Sequence, residues 1–186
     1  MLFTETELPG AFIIELDEKR DDRGFFARTY CAREFEQHGL VSRISQCNLS
    51  FNHRRGTLRG LHYQNEPTAE AKYVRCIAGA IFQVMVDLRP GSPTFHRYVS
   101  VELSAANRRA VFLPRMFAAG YQTLADNTEV LYQVSEFFTP ESEGGLRYDE
   151  PAFGIEWPLP IAEISAKDQA WPYLPAVAAG AAGDAS

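Results

Sequence analysis

The stretch Leu58-Arg-Gly-Leu-His-Tyr-Gln64 sets an arginine and a histidine among apolar residues, in a run that reads as a strand. Alternate strand side chains share a face, so Leu58, Gly60, His62 and Gln64 are expected to point one way and Arg59, Leu61 and Tyr63 the other. Gly60 then leaves open space beside His62. An imidazole facing such a gap is a candidate general base, because its ordinary pKa of about 6.5 lets it exchange protons near neutrality. The alternative is a histidine satisfied by structural hydrogen bonds. Three further groups could join it. Lys72 opens the strand-like run Lys-Tyr-Val-Arg-Cys-Ile77, Tyr132 lies inside Glu129-Val-Leu-Tyr-Gln-Val134, and Asp168 falls in a polar segment beyond. Taken singly, each also has a plain structural reading: an edge lysine, a core tyrosine and a solvated carboxylate.

The elements that must position these groups are mostly strands. Short β-rich runs at residues 44–51, 58–64, 72–77, 81–88, 96–103, 109–113, 120–124 and 128–135 are separated by turn residues, the spacing of an antiparallel sandwich or barrel. Residues 11–16 form an earlier strand, and the charged stretch 17–23, with a turn signal at Asp22-Arg23-Gly24, reads as a polar loop joining it to a second strand. Residues 31–40 suit one short helix stopped by Gly39. The run 81–88 is apolar on both faces apart from Gln83 and Asp87, so covered layers are expected on either side of it. No linker divides the chain. Residues 1–174 read as a single domain and residues 175–186 as an Ala/Gly-rich C-terminal tail, expected to be mobile.

Composition narrows the class. The 186 residues are 46% hydrophobic, enough for one sizeable core, and a net charge of −6 disfavours nucleic acid as a partner. Cys31, Cys47 and Cys76 are odd in number and show no CxxC pair, so they read as reduced thiols. No stretch matches a signal peptide or a membrane span, and a cytoplasmic protein with no membrane partner is expected. The histidines His38, His53, His62 and His96 include no H-x-H pair, which disfavours a metal site. No dinucleotide fingerprint, P-loop or hydrolase elbow is present.

The order Asp22-Arg-Gly-Phe-Phe26, Gln46-x-Asn48-x-Ser50, Leu58-Arg-Gly-Leu-His-Tyr-Gln64, Lys72-x-Val-x-Cys-x-x-Gly79, Val86-Asp-Leu-Arg89, Tyr132, Glu143 and Ser165-Ala-Lys-Asp168 strongly resembles the dTDP-4-dehydrorhamnose 3,5-epimerase family. The resemblance runs from about residue 10 to about residue 173. It implies an all-β, cupin-like antiparallel barrel, or jelly roll, with a few short helices. It also implies a homodimer that needs no metal or other cofactor and acts on a nucleotide-diphosphate sugar of the 4-keto-6-deoxy type.

Roles follow from the resemblance residue by residue. His62 would be the base, oriented by Asp168; Tyr132 would be the acid on the opposite face; Lys72 would stabilise the enolate oxygen. Arg59 and Arg23 would bind the diphosphate or nucleotide, Gln46 and Asn48 would line the nucleotide pocket, and Phe138 would stack on the base. Glu143 and Lys167 match further ligand-binding positions. Three positions depart from the family pattern. Phe117-Ala-Ala-Gly-Tyr121 has Ala119 where a histidine is usual, Gln83 replaces an aspartate, and Arg28 stands where glutamate is common. These bear on the substrate and leave two alternatives beside the 3,5-epimerase: a single-carbon epimerase on a different nucleotide sugar, and a noncatalytic nucleotide-sugar binding protein.

Overall fold

A computed structural model describes residues 1–174; the expected tail, 175–186, lies outside the described residues. Strands β1 (Leu2–Glu5) and β2 (Phe12–Glu15) are followed by a small hairpin, β3 (Lys19–Asp21) and β4 (Gly24–Phe26), and by helix α1 (Ala32–Gln37). Then come β5 (Gln46–Asn52), β6 (Thr57–Gln64), β7 (Lys72–Ala78), β8 (Ala80–Asp87), β9 (Tyr98–Ser104), β10 (Ala110–Leu113), β11 (Phe117–Thr123) and β12 (Thr128–Val134). A turn of 3-10 helix, Pro140–Ser142, leads to β13 (Glu143–Gly145), β14 (Glu163–Ile164) and α2 (Ala166–Ala170).

Two sheets face each other. One has the order β1-β2-β10-β7-β12-β5; the other runs β13-β6-β11-β8-β9, with β14 added parallel to β6. The all-β jelly-roll expectation holds, and the predicted strands are found with their ends moved by a few residues. The largest shift is at the strand expected from Gly120, which begins at Phe117. His96, placed in a strand from sequence, instead sits in a turn with φ 64° ahead of β9.

Between the sheets, Val74, Cys76, Val111, Leu113 and Val130 of the first meet Ile81, Met85, Val101, Leu103 and Phe117 of the second. Each such side chain contributes about 1.5–3 kcal/mol when fully buried. Both outer faces are covered as well. Phe35 of α1 packs with Ile14, Tyr73, Ala110 and Phe112 on the first sheet. On the second, Val84 and Val86 lie under Leu146, Phe153, Ile155 and Trp157. The two apolar faces of β8 are thus satisfied within one chain, one between the sheets and the other under the segment after β13 that folds back across it.

β5 is different. Its inward side carries Gln46, Asn48, Ser50 and Asn52, whereas Leu49 and Phe51 on the outward side are 58% and 42% exposed. The usual amphipathic order is inverted at this edge strand, so a polar surface faces the space between the sheets.

Candidate active site

The sheets part at one end around a cavity of about 470 Å³. Its walls come from both. Lys72 and Val74 of β7, Val130 and Tyr132 of β12, and Ser50 and Asn52 of β5 form one side; Arg59 and His62 of β6, Ala119 and Tyr121 of β11, and Gln83 of β8 form the other. Ser165, Lys167 and Asp168 close the edge beside β6.

Arg59 and His62 are three residues apart, so simple alternation puts them on opposite faces; in the structure both line the cavity. A bulge is responsible. His62 pairs with Ala119 and Arg59 with Tyr121, so Gly60 and Leu61 together oppose the single residue Gly120. The extra residue inverts the parity of everything before it. The open space expected beside Gly60 is also absent, because a Cβ there would lie 2.5 Å from the Gly120 Cα. Gly60, at φ 114°, is required both for this close approach and for its backbone conformation.

Asp168 reaches His62 from α2. Ser165 caps that helix by accepting the Asp168 N–H at 3.0 Å, which turns the aspartate side chain toward β6. The His62 Nε2–Asp168 Oδ1 distance is 2.6 Å, and the Gly60 N–H donates to Asp168 Oδ2 at 3.3 Å. With Nε2–H donating to a carboxylate, Nδ1 is left as the nitrogen free to take a proton. Burial alone would raise the Asp168 carboxyl, which is 3% exposed; the hydrogen bond and charge of His62, with Gly60 and Ser165, outweigh it and hold the carboxyl below its ordinary range.

Across the cavity, Lys72 donates to the His62 carbonyl at 3.2 Å and forms an ion pair with Glu70 at 3.1 Å. Burial, followed by the negative charge of Glu70, pushes the Tyr132 phenol up, with Arg59 opposing. Tyr132 therefore keeps its proton at neutral pH. Arg59 Nε donates to Asn52 Oδ1 at 2.7 Å, which fixes the guanidinium at the cavity wall.

The other expected residues divide into three groups. Lys167 lines the cavity and pairs with Glu143 at 2.5 Å, so Glu143 sits behind it. Asn48 lies opposite Tyr132 in the β5–β12 register without lining the cavity, and Gln46 accepts the N–H of Phe138 at 2.7 Å beyond it. Phe138 is 56% exposed. Arg23 is not at the cavity of its own chain. It lies at the turn of the β3–β4 hairpin, 89% exposed, and its guanidinium pairs with Asp21.

Among residues given no role from the sequence, Ser50, Asn52 and Tyr121 form a polar cluster, with Ser50 Oγ 2.8 Å from the Tyr121 hydroxyl. The alternating polar residues of 46–52 were the available signal. Gln83 is 1% exposed; its Nε2 donates to the carbonyls of Val84 and Gly120, each at 3.0 Å, while its Oε1 has no partner among the described residues. Arg28 lies away from the cavity and pairs with Glu34 at 3.3 Å. Among the described residues no group of three or more His, Cys, Asp or Glu is arranged to hold a metal ion, and no helix is long and apolar enough to cross a membrane.

Known proteins share this sequence pattern and this fold. The profile of the dTDP-4-dehydrorhamnose 3,5-epimerase family matches residues 5–176. The dTDP-4-dehydrorhamnose 3,5-epimerase of Salmonella typhimurium is 41% identical over 178 residues, which cover 94% of this chain and 96% of that protein. The crystal structure of the Bacillus anthracis enzyme with TDP and pyrophosphate bound superposes with a TM-score of 0.89 at 36% identity, covering 93% of this chain and 99% of that one. A 3′-monoepimerase from Streptomyces bikiniensis, in complex with dTDP-quinovose, has a TM-score of 0.82 at 32% identity, over 90% of this chain and 85% of that one. With a matching profile over nearly its whole length and a relative this similar, the chain belongs to the dTDP-4-dehydrorhamnose 3,5-epimerase family.

Proposed function

We propose that the protein is an isomerase that epimerises a nucleotide-linked 4-keto-6-deoxy sugar, with dTDP-4-dehydro-6-deoxyglucose as substrate and 3,5-epimerisation in dTDP-rhamnose biosynthesis as the reaction. The observation that carries this is the pairing of His62, on one sheet, with Asp168 of α2 and the placement of Tyr132 with Lys72 on the facing sheet. Inversion needs a proton to leave one face of the ring and another to arrive on the opposite face, and two facing walls supply that geometry.

The ketone at carbon 4 acidifies the hydrogens at carbons 3 and 5. His62 Nδ1 takes one of them, the C–H electrons move into the enolate, and its negative oxygen is held by the Lys72 ammonium. Asp168 keeps Nε2–H directed away from the substrate and stabilises the imidazolium that forms. Tyr132 then gives its phenolic proton to the other face. Solvent restores both groups. Arg59 and Lys167 are placed to meet the diphosphate, with Asn48, Gln46 and Phe138 continuing the site toward the nucleotide.

A homodimer suits this reading. The exposed Leu49 and Phe51 on the outer side of β5, and the projecting β3–β4 hairpin with Phe25 and Phe26 at 40% and 73% exposure, are surfaces that a second copy would cover. Arg23 would then reach a partner's cavity. The three unpaired thiols fit a cytoplasmic setting. A second reading, epimerisation at a single carbon, is favoured by the Ala119 methyl and the unpartnered Gln83 oxygen in the cavity wall, since both alter the contacts offered to the sugar.

Incubation with dTDP-4-dehydro-6-deoxyglucose in heavy water is expected to place deuterium at carbons 3 and 5; label at one carbon alone supports the second reading. No incorporation into any nucleotide-linked 4-keto sugar would overturn the proposal.

A further inference from the structure

Glu70 precedes β7 by two residues and does not line the cavity. Its Oε1 nevertheless lies 3.1 Å from Lys72 Nζ, and both side chains are 11% exposed. From behind, Gln64 Nε2 lies 3.4 Å from Glu70 Oε2. Gln64 is itself 2% exposed and anchored, donating to the Thr68 and Phe137 carbonyls and accepting the Thr139 N–H. The carboxylate therefore has a fixed seat.

Lysine carries a point charge on a flexible four-carbon stem, with three donors that can rotate. Here one donor is committed to the His62 carbonyl. The Glu70 carboxylate holds the ammonium from a second direction, so the charge sits at the cavity wall before any substrate arrives. Charge that is already in place when an enolate forms incurs no reorganisation at that moment.

We propose that Glu70 is a positioning residue for the epimerisation: it aims the Lys72 ammonium at the ketone oxygen and places a negative charge near Tyr132. This rests on the reading given above. The charged or titratable groups that share the cavity with Tyr132 are Lys72 on β7, Arg59 and His62 on β6, His53 after β5, Tyr121 on β11, Glu163 on β14, and Lys167 and Asp168 on α2, with Glu70 behind Lys72. Of the carboxylates, Glu70 is the one whose charge pushes the phenol up, after burial itself. Its loss leaves burial and Tyr121 to raise the phenol against Arg59, so the phenol moves down toward its ordinary value.

The test compares wild type, Glu70→Ala and Glu70→Gln on dTDP-4-dehydro-6-deoxyglucose, with kcat, KM and deuterium uptake followed across pH. Glu70→Ala is expected to lower kcat by about tenfold or more, with KM within about twofold. Glu70→Gln keeps an acceptor in the same seat and is expected to recover most of kcat. In both variants the basic limb of the pH profile moves to lower pH, because the negative charge near the phenol is gone. A purely structural Glu70 would instead disturb the Gln64 anchor and the Phe138 segment, raising KM and leaving the basic limb where it was; that result overturns the inference. So does wild-type kcat in Glu70→Ala. Deuterium uptake by wild type keeps the epimerase reading intact in either event, so the two ideas fail separately.

Discussion

Asp87 and Asp168 are both almost fully enclosed, at 0% and 3% exposure, yet they are held in opposite ways. Asp87 ends β8 and is saturated by donors of its own turn. It accepts the Arg89 N–H at 2.9 Å, Arg89 Nε at 2.9 Å and Nη2 at 2.7 Å, Ser92 Oγ at 2.6 Å and Thr94 Oγ1 at 2.7 Å. Burial opposes its charge, but these donors prevail and hold the carboxyl far below its usual range. All of them lie within seven residues of Asp87 in sequence, so the network locks a loop and leaves nothing for a ligand. Asp168 has few donors, and the nearest is an imidazole from a strand more than a hundred positions away, whose side chain is 36% exposed to the cavity. A carboxylate whose principal donor is an imidazole open to the cavity suits the proposed chemistry; one whose donors all come from its own turn holds that turn together.

The contrast can be broken most severely at His62. His62→Ala is expected to abolish solvent exchange altogether, since no other group in the cavity stands in for the base; persistent deuterium uptake would show that the pair with Asp168 is as structural as the Asp87 network. Tyr132→Phe tests the facing wall. Proton abstraction and washout of label are expected to continue while inversion falls by about 10² to 10⁴. If the hydroxyl only packs, turnover stays near wild type and stability drops by about 1 kcal/mol.

Asp87→Ala sharpens the comparison from the structural side. It leaves Arg89, Ser92 and Thr94 without their acceptor, and an unfolding midpoint in urea is expected to report a loss of about 3 kcal/mol while exchange by the folded protein is retained. The wild-type carboxyl has a folded pKa below its unfolded value of about 3.9, so its contribution is present above that value and is lost as pH falls toward the folded pKa. Asp87→Ala should accordingly flatten the acid limb of stability against pH. Asp168 shifts in the same direction and leaves a smaller residual slope in the variant.

Much of the site could be read from residue types. The runs of alternating β-formers located the strands because each has a side facing a core, and the motif order pointed to His62, Lys72, Tyr132 and Asp168, all of which line the cavity. Local patterns also placed Arg59 and His62 on opposite faces, and there they misled. The bulge that brings the two together depends on how β6 meets β11, and Gly120 is 60 residues from Gly60 in the chain. Arg23 shows the same limit from another side, since its hairpin projects from the chain that carries it.

The sequence by itself determined the strand-rich class, the titratable groups and the family, because periodicity and motif order are properties of the chain. Only the tertiary structure decided which groups confront one another. Pairing of His62 with Asp168, the fixing of Lys72 by Glu70 and the opposition of Tyr132 to His62 depend on strand register and on the separation of two sheets. Those quantities are set by packing summed over the whole core, and no short window of residues contains them.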